Sequence, residues 1–168
     1  MNLYPIPSEF IYSMTSLSWC DIKFGCEYKF ITQNIPIKKA EDTVLTGIYT
    51  TAELDLSFQL PDCCDVVPFL KELCLTSELD DESMIKRKWL FIILSWLWEN
   101  RNNFNEPLAE VESIYADFSY PSEIESFVRY MPATDGYNSL AHTKEKNINR
   151  LMSHWVKYLD RNILIFKK

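Results

Sequence analysis

The residue types in this 168-residue chain that could do chemistry are two histidines, five cysteines, an acidic run and one arginine ahead of a proline turn. His154 beside a cysteine would make a base and a nucleophile. It directly precedes Trp155, next to an apolar helical stripe, so a helix-flank histidine is the expected reading. Cys63, Cys64 and Cys74 with His142 offer the ligand types of a zinc site. Adjacent cysteines do not easily turn both sulfurs onto one ion, and buried small hydrophobes account for them better. The run Glu78, Asp80, Asp81 and Glu82 has oxygen ligands for a divalent cation, without the glycine turn or loop spacing of a cation site. Arg129 suits an anion contact, or a structural tie from its guanidinium fork to a carboxylate such as Asp117 or to helix C-terminal carbonyls. The tie is the expected use. GxSxG, GxGxxG, P-loop, HExxH and EF-hand patterns do not occur. No catalytic residue, cofactor or metal is therefore expected.

Charge is more informative than any of these groups. The chain carries a formal net charge of −7, unevenly spread. Residues 53–82 hold nine acids against the single base Lys71, and residues 99–125 hold seven against Arg101. Residues 126–168 reverse the balance, with eight bases and three acids. Such clusters serve as solvated helix faces and caps. They also steer a basic partner and select against wrong ones. On the second reading Glu78, Asp80, Asp81 and Glu82, with Asp62, Asp65 and Glu72, form the partner-binding surface. A nucleic-acid binder needs a basic face to neutralise phosphates, and a chain of pI near 4.9 argues against direct nucleic-acid binding. If Glu78, Asp80, Asp81 and Glu82 fail as the steering group, Glu106, Glu110, Glu112 and Asp117 are the next candidates.

The elements that must carry these residues read as helices throughout. A chain of this length, with 47% hydrophobic residues and only three glycines, favours one packed all-α domain over residues 1–168. Ser8 caps a first helix. Ser18 with Asp21 resembles a capping box opening a second. Pro36 starts a third that Gly47 ends, Thr50 or Thr51 caps a fourth, and Asp62 opens a fifth with a kink or late start at Pro68. Ile31 to Ile37 is the segment best able to be extended. Ser83 caps a helix holding the longest apolar run, Trp89 to Trp98, which is about half of the roughly 20 residues that a membrane span needs. A buried central helix is the expectation. Pro107 and Pro121 each start a short helix. Thr143 begins the last, where Ile148, Leu151, Met152, Trp155, Val156 and Leu159 recur at steps of three and four. The result is an irregular bundle of about eight or nine helices. An odd cysteine count without CxxC pairs, and no basic-then-apolar segment at the N-terminus, suggest a cytoplasmic protein with reduced thiols.

The stretch from Tyr115 to Tyr137, with Arg129, Tyr130, Met131, Pro132 and the Asp135–Gly136 turn, resembles a family of small all-helical bacterial proteins of unassigned biochemistry. Some of its members resemble immunity proteins of contact-dependent growth inhibition toxin systems. The likeness continues through Pro7, Ser8, Phe10, Ile11, Thr15, Ser16, Leu17, Trp19, Asp21, Ile22 and Gly25. It resumes at Lys88, Trp89, Leu90, Trp96, Leu97, Glu99, Asn100 and Arg101, and at Asn147, Ile148, Leu151, Trp155 and Tyr158. Residues 38–82 match only in helical character, and no catalytic residue comes with the resemblance. It implies a protein that binds and blocks the C-terminal domain of a cognate toxin, a basic nuclease, by covering its active site or substrate groove. The chain would be a monomer alone and form a 1:1 heterodimer with the toxin, without membrane or nucleic acid. The alternatives are a small cytosolic enzyme with a site of carboxylates and Arg129, or an adaptor for another protein.

Overall fold

A computed structural model describes residues 3–61, 65–77 and 81–167. Its α-helices are α1 (Ser8–Met14), α2 (Trp19–Glu27), α3 (Asn34–Leu45), α4 (Thr51–Ser57), α5 (Val67–Thr76), α6 (Glu82–Asn100), α7 (Pro107–Asp117) and α8 (Lys144–Phe166). Short 3-10 helices cover Arg101–Asn103, Ser122–Phe127 and Ser139–Ala141. No strand occurs among the described residues, so the fold is all-α.

Local chemistry explains most of the boundaries. The Ser18 hydroxyl accepts the Asp21 N–H and the Asp21 carboxylate accepts the Ser18 N–H, which completes the expected capping box. Thr50 and Glu53 make the same reciprocal pair at α4. Thr143 accepts the Lys146 N–H at α8. Gly47, at φ +80°, follows α3 in the left-handed region that ends helices.

Other starts differ from expectation. Ser8 is the first helical residue of α1, after Pro7, and makes no cap bond, and α3 starts at Asn34, two residues before Pro36. α6 is opened by Asp81 and not by Ser83: Asp81 Oδ1 accepts the Ser83 N–H at 3.0 Å and Oδ2 its hydroxyl at 2.7 Å. α5 takes the late start, one of the two forms expected, with Pro68 in its first turn, where a missing N–H costs nothing. Asp65 accepts the Val67 N–H there, while Asp62 lies outside the described residues. The expected helix after Pro121 is 3-10, entered through Ser119 and Tyr120 at φ 61° and 60°. The segment best able to be extended is helical from Asn34 onward.

Backbone contacts gather into two compact units, with the boundary after Trp89, inside α6. In the unit of residues 3–89, α3 packs on α4 and α2 on α5. Ile11, Ile22, Leu56, Leu70, Leu73 and Trp89 are fully buried there. A disulfide joins Cys20 of α2 to Cys74 of α5. This corrects the expectation of reduced thiols at those two positions, and a separation of 54 residues left no motif to reveal the pair.

In the unit Leu90–Lys167, α8 packs on the 3-10 helix Ser122–Phe127. Phe127 lies parallel to Trp155, with ring centroids 6.0 Å apart, and also meets Tyr158. The apolar run of α6 is buried as expected, from Leu90 to Leu94 without interruption. Among the described residues, no helix is long and apolar enough to cross a membrane.

Candidate functional site

The acidic surface divides by the role each carboxylate has locally. Asp81 and Glu82 are exposed and engaged: Asp81 caps α6, and Glu82 pairs with Lys86 one turn on at 2.7 Å. Both are held below the usual carboxylate range, Asp81 by the Ser83 hydroxyl and Glu82 by its bond to Lys86. Asp65 is exposed and caps α5. Glu72 is exposed on α5, and its carboxylate has no partner among the described residues; Asp55 on α4 is alike. Glu53, one of the acids in the same stretch, is buried; it closes the α4 capping box and accepts the Trp19 indole N–H at 3.1 Å. Asp62, Glu78 and Asp80 lie outside the described residues. Of the seven expected docking residues, Glu72 alone is thus shown exposed with an unengaged carboxylate.

The same part of the chain also exposes large apolar side chains. Leu45 is 82% exposed and Ile48 85%, around the α3–α4 connection. Phe58 at 74% and Leu60 follow α4, and Leu75 is near the end of α5. Isolated exposed leucines are ordinary. Five such side chains fall between residues 45 and 75, in the same stretch of chain as the unengaged acids Asp55 and Glu72.

A buried polar node explains several residues that carry the family likeness. The Asp21 carboxylate is fully buried and accepts both the Ser18 N–H and the Lys88 ammonium. Its backbone carbonyl accepts the indole N–H of Trp89 at 2.9 Å. Gly25 stands one turn further on, where a Cβ would come within 2.4 Å of the Trp89 ring. Lys39 completes the group: it donates to the Leu17 carbonyl at 2.7 Å, and burial pulls its ammonium below the ordinary lysine range. Asp21 thereby fastens α2 to the first turns of α6, and Lys39 fastens α3 to the residues just before α2. Sequence reading caught Asp21 as a cap and had no signal for its pairing with Lys88, 67 positions away.

In the other unit, Arg129 is a structural tie, as expected, with different partners. Its Nε and one terminal nitrogen bind the two oxygens of Glu112 at 2.7 and 2.9 Å, and the other terminal nitrogen reaches Glu106 at 3.2 Å. Asp117 is not among them. Two of the four reserve acids are thereby engaged, and the Arg129 bond holds the Glu112 carboxyl below its usual range. His154 lines a shallow depression with Ser126, Lys157, Asp160 and Arg161, and no cysteine lines it. Burial, then the charges of Arg150 and Lys157, lower its pKa and favour the neutral imidazole.

Of the conjectured zinc ligands, Cys74 is in the disulfide, and Cys63 and Cys64 lie outside the described residues. Among the described residues no group of three or more His, Cys, Asp or Glu side chains could hold a metal. A larger cavity, bordered by Arg129 and Arg150, opens between the start of α7, residues 129–139 and the first turns of α8.

Fold and sites together define an all-helical protein whose strongest polar constellations are structural, with exposed acidic and apolar side chains on one unit and a cavity in the other. The chain belongs to a bacterial family: residues 8–163 match the family model described as "Uncharacterized protein conserved in bacteria (DUF2247)". No curated protein and no solved structure matches the chain.

Proposed function

We propose that this protein is an immunity protein that binds the C-terminal domain of a cognate contact-dependent growth inhibition toxin, a basic nuclease, and covers its active site or substrate groove. The observation that carries the reading is the exposed set Leu45, Ile48, Phe58, Leu60 and Leu75 alongside the unengaged carboxylates of Asp55 and Glu72. Apolar anchors set how slowly a complex dissociates, and unpaired surface acids set how fast a basic partner arrives. Isolated surface pairs contribute only about 0 to 1 kcal/mol each, so the anchors must supply most of the affinity. The carboxylates that hold helix starts, Asp65, Asp81 and Glu82, serve the fold first, which moves the steering role toward Asp55 and Glu72.

The reading expects a neighbouring reading frame, immediately upstream, that encodes a large secreted toxin; the C-terminal domain of that toxin is the partner to use, with binding followed by surface plasmon resonance at low and high salt. Reversing Asp55 and Glu72 to lysine slows association at low salt and has less effect as salt rises, because surface charge is screened over roughly 8 Å at physiological ionic strength. Phe58→Ala with Leu60→Ala speeds dissociation with little change in association. Absence of binding by the unaltered protein, or nuclease action undiminished at saturation, refutes the proposal.

A further inference from the structure

The cavity in the Leu90–Lys167 unit has a volume of about 890 Å³, within the range of small-molecule sites. Its apolar lining includes Leu108, Met131, Ile148, Leu151 and Met152. Three cations, Arg129, Lys144 and Arg150, border it against one carboxylate, Glu106, in a chain whose net charge is −7. Arg129 has its fork committed to Glu112 and Glu106. Arg150 differs. Its side chain is only 17% exposed and its guanidinium lies 4.4 Å over the Tyr137 ring, yet it makes a single hydrogen bond, to Asp135 at 2.8 Å. A guanidinium has five N–H donors, so the others have no acceptor among the described residues. The Lys144 ammonium, at the first residue of α8, likewise has no partner among them. A guanidinium fixed by stacking, with donors left over beside an apolar and thioether wall, suits a planar anion carried on an apolar body.

We propose that this cavity binds a small aromatic carboxylate, with the carboxylate on Arg150 and Lys144 and the ring against Met131 and Met152. The thioethers favour an aromatic body, because polarisable sulfur makes favourable contacts at ring edges and fills gaps without a fixed shape. Tyr137 does not supply the stacking partner: Arg150 covers one side of its ring, and the His142 ring stacks on it with centroids 4.8 Å apart. The site lies wholly within the unit Leu90–Lys167 and does not depend on toxin binding.

Isothermal titration of the full chain with 3-phenylpropionate, 3-phenylpropionamide and acetate tests this directly. The acid binds at least about tenfold more tightly than the amide, which lacks the charge-assisted hydrogen bonds, and more tightly than acetate, which lacks the ring. Arg150→Gln removes that preference for acid over amide. Should Arg150→Gln fail to fold, Lys144→Ala, at an exposed position, weakens the acid by about threefold and leaves the amide unchanged. Met152→Trp, which places a bulky indole where the ligand ring would sit and narrows the cavity there, weakens binding of both. Equal binding of acid and amide, no binding of the acid at millimolar concentration, or acid affinity unchanged by Met152→Trp in a folded protein overturns the proposal.

Discussion

Replacing either member of the Asp21–Lys88 pair should destabilise the protein, and unequally. Asp21 is fully buried, whereas the Lys88 side chain retains 20% exposure. Asp21→Asn preserves the shape and leaves an acceptor for the Ser18 N–H, so its main effect is an ammonium without a counter-charge. That ammonium can turn toward water, which sets the cost at the low end of the range for breaking a buried pair, about 3 kcal/mol. Lys88→Met strands a carboxylate that has no path to water. One of its oxygens already lacks a hydrogen bond, so only the Ser18 N–H would remain to it. The cost should be about 4 to 5 kcal/mol. The double variant has neither stranded charge and should lose only about 2 kcal/mol, from the weakened cap and imperfect packing. Urea denaturation followed by tryptophan fluorescence suits the measurement, because Trp89 is buried and bonded to Asp21. The non-additivity decides the matter. If the two single losses sum to the double loss within about 0.5 kcal/mol, the residues are uncoupled and the pair is not what fastens α2 to α6.

Gly25→Ala should cost about 1 to 3 kcal/mol despite the better helix propensity of alanine, because its Cβ would meet a Trp89 ring that is buried and cannot withdraw; an unchanged or raised melting temperature would contradict the packing argument. Reducing the Cys20–Cys74 disulfide, which spans 54 residues, should lower stability by about 4 kcal/mol. The Cys26 thiol, pushed up to about 12 by burial and by Glu27, should stay nearly inert to alkylation at neutral pH while the protein is folded. Glu112 has its carboxyl lowered by Arg129, so its contribution to stability is present at neutral pH and is lost as pH falls from about 4.5 toward the lowered value. Thermal melts of Arg129→Met should lack that acid-side loss, and an identical pH profile in the variant would remove Glu112 as its source.

Local signals made much of the fold legible, for reasons that stop at the local scale. Ser18 and Asp21, Thr50 and Glu53, and Thr143 with Lys146 satisfy their partners within one helical turn, so the sequence itself contains the whole interaction. Ser83 was displaced as the α6 cap because an acid two residues earlier accepts from both its N–H and its hydroxyl. The 3-10 turn after Pro121 follows a left-handed entry at Ser119 and Tyr120, two residue types that do not announce positive φ as glycine would. Long-range pairs had no such signature: Cys20 with Cys74, Asp21 with Lys88, Trp19 with Glu53.

That difference bears on where function should be sought. A carboxylate counted from sequence contributes to a docking surface only if it has no nearer obligation, and caps and ion pairs take the acids at helix starts first. Glu53, Asp65, Asp81 and Glu82 are all held in this way, whereas Asp55 and Glu72 lie past the first turns of α4 and α5, where no orphan N–H competes for them. The same reasoning separates the arginines. Arg129, bound at both edges by two glutamates, has little left to offer a ligand, and Arg150, held by a ring and one oxygen, keeps most of its donors. Net charge describes how a chain meets its surroundings; the groups able to recognise a partner are those that folding leaves with unmet hydrogen-bonding capacity.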